Sequence, residues 1–171
     1  MHEHKIIQVD EHTTLRQLEL KDAELHFDIV TKNKDYLQEF LDWPEATKTV
    51  DDSRAFIELS RHKRARGETY SYGIFFDEEF VGHISLMHAK EGERPEIGYW
   101  VSKEYSGKGI TTRAAIALTK FTFEVLGLES IVIRADVNNL GSNKVAEKTG
   151  YSFVGKEEKG ERTLNVWCVE K

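Results

Sequence analysis

The apolar positions along the chain follow two spacings, and each spacing predicts a kind of element. Segments that alternate apolar and polar residues, or that are rich in β-branched and aromatic residues, are typical of strands. Such segments cover residues 14–20, 70–76, 80–89, 96–101, 130–137, 151–158 and 163–170. Helical periodicity occurs over residues 21–33, 34–41, 49–65, 111–126 and 141–150. The pattern predicts a mixed α/β fold with antiparallel hairpins and a central strand–turn–helix–strand unit.

Local signals mark the ends of several elements. A break near Asn33 separates the first two predicted helices. Thr49 or Asp51 suits the N-cap of the third helix, because a short polar side chain can accept a backbone N–H there. Gly150 suits the C′ position of the last helix, where a left-handed backbone is common.

The composition fits one folded domain spanning residues 1–171. Apolar residues make up 39% and charged residues 32%, and no apolar run approaches the roughly 20 residues of a membrane span. The N-terminal residues lack the apolar core of an export signal, and the single cysteine, Cys168, cannot form an internal disulfide. A cytoplasmic protein is therefore expected. The net charge of −6 disfavours a nonspecific nucleic-acid binder, so neither nucleic acid nor membrane is an expected partner.

The turn from Gly107 to Gly109, directly before a predicted helix, is the first candidate for chemistry. A helix start leaves several backbone N–H groups without partners, and the helix dipole makes that end positive. Glycines let a ligand approach these groups closely. The turn therefore favours a bound anion, most often a phosphate. A tight turn without a ligand is the alternative.

Two common phosphate motifs do not account for this turn. A Walker A loop needs a first glycine and then Gly-Lys-Ser/Thr, but Ser102 holds the first position and Gly109 follows Lys108. The dinucleotide fingerprint needs a third glycine, and Thr112 stands there. The first motif is absent, and the second is only partly met.

Two segments together resemble the acyl-CoA N-acyltransferases of the GNAT superfamily. Residues 106–111 are similar to the pyrophosphate loop, with Gly109 at the central glycine, although Ser106 and Thr111 depart from the usual residues. Residues 139–155 are similar to the next helix on the CoA side, and the matching residues are Asn139, Ser142, Lys148, Gly150 and Tyr151. Residues 35–58 further resemble the aromatic segment of the ribosomal-protein-serine acetyltransferases and their Rim-type relatives.

The resemblance implies a fold and a co-substrate. The fold is a mixed, mostly antiparallel sheet that splays between the parallel strands 96–101 and 130–137, with helices on both faces. Acetyl-CoA would place its pantetheine arm in the splay and its pyrophosphate on the N–H groups of residues 107–112. Lys108 adds a charge towards a phosphate or is an ordinary loop lysine. The implied CoA contacts are Tyr99, Trp100, Val101, Gly107, Lys108, Gly109, Ile110, Thr111, Thr112, Asn138, Asn139 and Asn143.

The resemblance also implies catalytic residues. Acetyl transfer needs a neutral amine, a donor to the thioester oxygen, for which an N–H near Val101 is expected, and a proton for the thiolate. Many members use a tyrosine seven residues after the motif asparagine, but Ala146 stands there, so Ser142 is the expected donor. The candidate bases are Glu96, Glu158 or Glu161 of the last hairpin, and a water molecule.

The acceptor is the least determined part of the prediction. Tyr36, Phe40 and Trp43 are candidates to line its pocket, although aromatic residues at this spacing also suit a core. The expected function is acetyl-CoA-dependent N-acetylation of a protein N-terminus of the ribosomal-protein type. Acetylation of a polyamine or aminoglycoside, and a non-enzymatic acyl-CoA-binding module, are the alternatives. A homodimer is common in this branch, and no metal is expected.

Overall fold

The computed structural model describes residues 4–90 and 92–171. The strands are β1 (Ile6–Gln8), β2 (Thr13–Arg16), β3 (Tyr70–Phe76), β4 (Glu79–Met87), β5 (Glu96–Val101), β6 (Ser130–Asp136), β7 (Ser152–Lys159) and β8 (Arg162–Glu170). The α-helices are α1 (Ala23–Lys32), α2 (Lys34–Gln38), α3 (Val50–Ala65), α4 (Ile110–Glu124) and α5 (Leu140–Lys148). Within these ranges no helix has both the length and the apolar run that a bilayer span requires.

Among the described residues, one sheet contains all eight strands in the order β1-β2-β3-β4-β5-β6-β8-β7. Neighbouring strands are antiparallel except β5 and β6, which run parallel. The chain crosses between these two strands through α4, because parallel neighbours cannot be joined by a tight turn. The predicted α/β fold, with a mixed and mostly antiparallel sheet, is confirmed.

β5 and β6 separate as soon as they have met, which leaves an open wedge in the sheet. The register pairs these strands at Glu96 and Val132, and the Val132 N–H donates to the Pro95 carbonyl at 2.9 Å. The remaining residues of β5 lie along one side of the wedge. The splay predicted between the two parallel strands is confirmed.

The backbone groups along β5 alternate between its neighbour β4 and the wedge. The Ser102 N–H, just after β5, bonds the Val81 carbonyl on the β4 side at 2.7 Å. With a period of two residues, the N–H and C=O groups of Tyr99 and Val101 point into the wedge, whereas those of Trp100 point to β4. Of the three residues expected to contact CoA through their backbone, Tyr99 and Val101 have N–H and C=O groups that face the wedge and Trp100 does not; the contacts themselves stay predictions.

Helices cover both faces of the sheet, as predicted. We call the first the α4–α5 face, whose core includes Ile97, Ile110, Leu118, Ile133 and Ala146. We call the second the α1–α3 face, whose smaller core consists of Leu18, Ala23, Ile57, Phe75 and Phe80. Since Ile97 and Ile133 lie on the α4–α5 face, side-chain alternation places Glu96, Trp100 and Arg134 on the α1–α3 face.

Three strand predictions differ from the structure. The segment predicted over 14–20 is a strand only to Arg16, and Leu20–Asp22 forms a 3₁₀ turn before α1. The strand predicted over 80–89 ends at Met87, because His88 adopts a left-handed φ of 56°. The sequence does not predict β1, whose three residues are too few to show a period.

The helix ends agree with the local signals. Thr49 is the N-cap of α3, and its side chain accepts the Asp52 N–H at 3.2 Å, while Asp51 lies inside the helix. α1 and α2 are separated at Asn33, as predicted. Gly150 follows α5 with a φ of 99°, which confirms its left-handed conformation.

Candidate active site

The turn between β5 and α4 presents a helix start that no side chain caps. Gly107 and Gly109 have φ angles of 74° and 78°, a left-handed backbone that glycine adopts without strain. Gly109 is the N-cap of α4. Across residues 4–90 and 92–171 the N–H groups of residues 107–112 find no backbone acceptor, whereas that of Arg113 bonds the Gly109 carbonyl at 3.0 Å. Several donors thus converge at the positive end of α4.

Arg113, in the first turn of α4, holds this turn in place. Its Nη1 donates to the Lys108 carbonyl at 3.3 Å, and its Nε donates to the Asp10 carboxylate at 2.9 Å. A Cβ added to Gly109 would lie 2.9 Å from Arg113 Nη1. A side chain at Gly109 would therefore displace the Arg113 guanidinium, and the left-handed φ angle is the main reason for glycine at this position.

The other residues of the turn offer mainly backbone groups. Ile110 and Thr111 are buried, so their N–H groups rather than their side chains are available to a ligand. Thr112 is half-buried. Lys108 is exposed, and its Nζ lies 5.6 Å from the centroid of the Tyr105 ring. Its ammonium is the one cation that the turn itself contributes.

Ser142 lies in the first turn of α5, next to β5. The Asn139 side chain caps this helix by accepting the Ser142 N–H at 3.1 Å, and Asn138 before it is exposed. The Tyr99 hydroxyl donates to the Ser142 carbonyl at 2.8 Å, which joins β5 to α5. Burial raises the pKa of Tyr99, so this hydroxyl stays a neutral donor. Within the described part of the chain the Ser142 hydroxyl makes no hydrogen bond, so it is available to a ligand.

Asn143 is committed to the protein's own structure. Its Oδ1 accepts from Asn165 Nδ2 at 3.0 Å and from Trp167 Nε1 at 2.8 Å. Its Nδ2 donates to the carbonyls of Asp136 and Asn139 at 2.9 and 2.8 Å. A side-chain amide has two donor and two acceptor positions, and all four are used. The CoA contact expected of this side chain therefore has no hydrogen bond left to make.

Three side chains on the α1–α3 face form an ion cluster where β5 and β6 meet. Arg134 bonds Glu96 through Nη1 and Glu157 through Nε, the latter at 2.9 Å. Glu157 also accepts from Arg94 at 3.4 Å. The hydrogen bond from Arg134 lowers the pKa of the Glu157 carboxyl below its usual value. We call Glu96, Arg134 and Glu157 the Arg134 cluster; it contains the predicted base Glu96 with a guanidinium already bound.

The two hairpin glutamates named from the sequence lie away from this cluster. Glu158 accepts from the Thr163 hydroxyl at 2.9 Å, and alternation along β7 turns it to the face opposite Glu157. Glu161 lies in the exposed turn between β7 and β8. Of these hairpin carboxylates, Glu157 is the one that the structure brings to the closed end of the wedge.

An aromatic stack on the α1–α3 face ends at an exposed tryptophan. Trp43 is 37% exposed, and its ring centroid lies 5.8 Å from that of Trp100. The Trp100 ring lies 6.4 Å from the His83 ring at an interplanar angle of 18°. Tyr36 is also partly exposed, but among the described residues neither it nor Phe40 makes a ring contact with Trp43. Trp43 is thus the predicted acceptor residue that the structure places on the stack.

Two buried histidines support this stack. The Phe56 ring lies 5.0 Å from the His26 ring and 5.4 Å from the His83 ring. His26 Nδ1 lies 2.7 Å from the Ser53 hydroxyl. Burial lowers the pKa of His26 to about 4 and that of His83 to about 3. Both rings are therefore neutral at neutral pH.

Arg134 and Glu157 are not singled out by the sequence. Arg134 lies 38 residues from Glu96 and 23 residues from Glu157, so no local motif joins them. One signal is present: Arg134 interrupts the apolar run of β6, and a charged residue inside a half-buried strand requires a partner. The sequence pattern therefore predicts that Arg134 has a charged partner, but the identity of that partner is known only from the folded structure.

The sequence and the fold are both similar to known acetyltransferases. The sequence model of the "Acetyltransferase (GNAT) domain" matches residues 12–152. The chain is 36% identical over 154 residues to "Putative ribosomal N-acetyltransferase YdaF" of Bacillus subtilis strain 168, covering 89% of this chain and 84% of the relative. It is 31% identical over 130 residues to the ribosomal-protein-serine acetyltransferase of Escherichia coli K12, covering 75% and 73%. The solved structure of RimL, a ribosomal L7/L12 alpha-N-protein acetyltransferase in complex with coenzyme A, has a TM-score of 0.92 at 26% identity over 96% of this chain and 97% of that chain.

Proposed function

Since this chain belongs to the GNAT acetyltransferase family, we propose that it acetylates the N-terminal amine of a protein, with ribosomal proteins as the first candidates. Both sequence relatives described above carry names that refer to ribosomal acetylation. The observation that carries the proposal is the convergence of free N–H donors at the start of α4 beside an open wedge. Acetyl-CoA is the donor whose shape and charge fit both features.

The turn before α4 suits the pyrophosphate of acetyl-CoA. Its donors are backbone N–H groups at a helix N-terminus, which bind phosphate oxygens well. The left-handed Gly107 and Gly109 keep side chains away from the approaching anion. Lys108 adds a positive charge at the same turn. Departures of this loop from the family's usual side chains, at Ser106 and Thr111, therefore matter little.

The pantetheine arm is proposed to run through the wedge from Val101 towards Glu96. The phosphate turn follows the C-terminal end of β5, whereas β5 and β6 meet at Glu96. An arm that starts at the turn thus enters at the open end and points to the closed end. The N–H and C=O groups of Tyr99 and Val101 can bond it as an added strand would. This path brings the thioester close to Tyr99 and hence to Ser142.

The reaction joins the amine nitrogen to the thioester carbon and breaks the bond from that carbon to sulfur. Negative charge gathers first on the thioester oxygen, and a wedge-facing N–H of Tyr99 or Val101 is suited to stabilise it. The sulfur then leaves as a thiolate, to which we assign the Ser142 hydroxyl as hydrogen-bond donor. As the amide forms, the nitrogen loses a proton, which balances the proton that the thiolate takes up. Before the attack, an ammonium must also lose one proton, because only the neutral amine has a lone pair.

We assign the uptake of that proton to Glu96 through a bridging water. Glu96 lies on β5 at the closed end of the wedge, towards which the thioester points. Arg134 already occupies one Glu96 oxygen, so direct contact with the amine would compete with this ion pair. A bridging water leaves the ion pair intact. The turnover rate then rises with pH until the amine is in its neutral form.

The acceptor is tested with a panel assayed for CoA thiol release. The panel contains peptides with the N-terminal sequences of ribosomal proteins, the same peptides with blocked N-termini, spermidine, and an aminoglycoside. We expect turnover of the free peptides and none of the blocked ones, with mass spectrometry placing the acetyl group on the N-terminal nitrogen. Blocked peptides keep every side-chain lysine, so they separate N-terminal from lysine acetylation.

Three other outcomes would contradict the proposal or the site assigned to acetyl-CoA. Selective turnover of spermidine or the aminoglycoside would assign the protein to small-amine acetylation. Acetyl-CoA binding without turnover of any amine would indicate an acyl-CoA-binding module. Loss of acetyl-CoA binding altogether would contradict the assignment of the turn at residues 107–112.

A further inference from the structure

Arg162, the first residue of β8, joins three segments that are distant in the sequence. Its Nη1 donates to Asp136 Oδ2 at 3.0 Å, and both Nη atoms donate to the Glu39 carbonyl at 3.3 Å. Its Nη2 also lies 3.5 Å from the Asp42 carboxylate. The Arg162 side chain is 29% exposed and that of Asp136 is 9% exposed, so this ion pair is partly shielded from solvent.

One end of this contact is the segment 39–43, which carries Trp43. The backbone hydrogen bonds of this segment stay local: the N–H groups of Phe40 and Leu41 bond the Leu37 carbonyl at 3.4 and 3.1 Å. Within residues 4–90 and 92–171, the hydrogen bonds that join residues 39–43 to the sheet come from Arg162. Arg162 thus supplies the hydrogen bonds that fix segment 39–43 relative to the wedge, beside the packing of Trp43 against Trp100.

The other end of the contact is the start of α5. The Oδ1 of Asp136, at the end of β6, accepts the Asn138 N–H at 2.8 Å. The Asp136 carbonyl accepts the Asn139 N–H and the Asn143 Nδ2, both at 2.9 Å. The residue that Arg162 binds thus also sets the position of the helix that carries the proposed thiolate donor.

We propose that Arg162 is a positioning residue. It holds segment 39–43 at a fixed position relative to the start of α5, on the other side of the wedge. This inference rests on the proposed function, since it takes segment 39–43 to line the acceptor pocket. A planar guanidinium with five donors can serve a carboxylate and a carbonyl at fixed directions, whereas an ammonium is a single point charge. Arg162 does not contact the phosphate turn, so its loss affects the acceptor and the alignment rather than acetyl-CoA binding.

The test compares Arg162→Gln and Arg162→Lys with Arg94→Gln. Arg94 is a control because its guanidinium also pairs with a carboxylate, that of Glu157 at 3.4 Å, and does not bond residues 39–43. For Arg162→Gln we expect the KM for the acceptor peptide to rise about tenfold, as the loss of one hydrogen bond between charged groups predicts. We expect the KM for acetyl-CoA to rise much less, because the phosphate turn keeps its own contacts. The acceptor KM of Arg162→Lys should lie between those of the unaltered enzyme and Arg162→Gln. The acceptor KM of Arg94→Gln should equal that of the unaltered enzyme.

Hydrogen exchange supplies a second readout that needs no turnover. Amides of residues 39–43 and 138–143 should both lose protection in Arg162→Gln, and neither should change in Arg94→Gln. Exchange that changes only in the hairpin, an unchanged acceptor KM, or an equal rise of both KM values would overturn the proposal. If the unaltered protein turns over no peptide, the proposed function fails. The exchange result still decides whether Arg162 couples the two segments. Should Arg162→Gln fail to fold, Arg162→Lys carries the same comparison.

Discussion

The two faces of the sheet build their candidate binding groups in different ways. On the α4–α5 face the groups are backbone N–H donors of residues 107–112 and a hydroxyl in the first turn of α5, each within a short stretch of chain. On the α1–α3 face they are charged side chains, where Arg134 joins Glu96 to Glu157 and Arg162 joins two distant segments. The first kind of site depends on backbone conformation, and the second depends on which side chains the fold brings together.

This difference sets which substitutions each face tolerates. A backbone donor survives most changes of its own side chain, provided that the φ and ψ angles are kept. Removal of one partner of an ion pair is destabilising, because the remaining charge stays partly buried without compensation. The turn should therefore be sensitive at its glycines, and the Arg134 cluster should be sensitive at each charged residue.

The largest effect is expected for Gly109→Val on the α4–α5 face. A β-branched residue at a φ of 78° is strained, and its Cβ would lie 2.9 Å from Arg113 Nη1. The turn backbone or the Arg113 guanidinium must shift, and we expect the hydrogen bonds proposed from this turn to the pyrophosphate to weaken by the equivalent of about two bonds. We expect the Kd for acetyl-CoA, measured by calorimetry, to rise about 1,000-fold.

Gly127→Val is the matched control for this prediction. Gly127 follows the opposite end of α4 with a φ of 71°, and a Cβ added there would meet nothing within 4 Å. The substitution has a comparable backbone strain but lies at the negative end of the helix. Equal losses of acetyl-CoA affinity in the two variants would mean that strain in α4, and not the anion site, is responsible.

The next largest effect is expected for Ser142→Ala, where α5 meets the wedge. The change removes one hydroxyl and no core volume, so the melting temperature should be kept. We expect kcat to fall about 100-fold, the lower end for loss of a positioned proton donor. Thr149→Val, which removes a hydroxyl at the other end of the same helix, is the control. An unchanged kcat in Ser142→Ala would mean that the Ser142 hydroxyl is not the hydrogen-bond donor to the thiolate.

The sequence predicts the α4–α5 face well because its signals are local. The glycine turn before α4 and the C′ residue Gly150 each act within a few residues, and the structure has a helix start and a left-handed glycine where the sequence predicts them. The parallel pairing of β5 and β6 could also be predicted, since a strand–turn–helix–strand unit implies a crossover. The hydrogen bonds of the Asn143 side chain within the protein could not be predicted, because its partners Asn165 and Trp167 lie more than 20 residues away in the sequence.

The α1–α3 face is predicted poorly for the same reason. Glu96 is singled out by its position, but its partner Arg134 is fixed only when β5 and β6 come together. Glu157 and Glu158 are neighbours in the sequence, and the register of β7 against β8 decides which of them faces Arg134. One residue of register exchanges the two faces of a strand, and no local pattern in this polar hairpin sets that register.

A smaller effect is expected for Glu96→Gln, which tests the Arg134 cluster. If Glu96 takes up the amine proton through water, its amide replacement should lower kcat about tenfold and leave the KM for acetyl-CoA unchanged. Glu157→Gln should have less effect, since it lies on the hairpin and not on β5. Glu158→Gln is the control, because that side chain faces away from the cluster. Full kcat in Glu96→Gln would assign proton uptake to another group.

An effect on stability rather than on activity is expected for the α1–α3 face at mildly acidic pH. Burial lowers the pKa of His26 to about 4 and that of His83 to about 3, whereas the unfolded chain has values near 6.5. Below about pH 6.5 the unfolded chain therefore binds protons that the folded protein does not. The contribution of these two histidines to the free energy of unfolding is therefore complete above about pH 6.5, and it is lost as the pH falls from there towards 4.

Denaturant unfolding at a series of pH values between 7 and 5 measures this loss. Well below pH 6.5 each buried histidine contributes a slope of about 1.4 kcal/mol per pH unit, so the pair contributes twice that. His83→Leu removes one titrating group from among aromatic neighbours, Phe56 and Trp100, and should halve the histidine contribution to the slope. His62→Gln is the control, since that side chain on α3 is 64% exposed. A slope that His83→Leu leaves unchanged would mean that His83 is protonated in the folded protein. In that case the stack around Trp100 would carry a charge, and a cationic amine would be repelled from it.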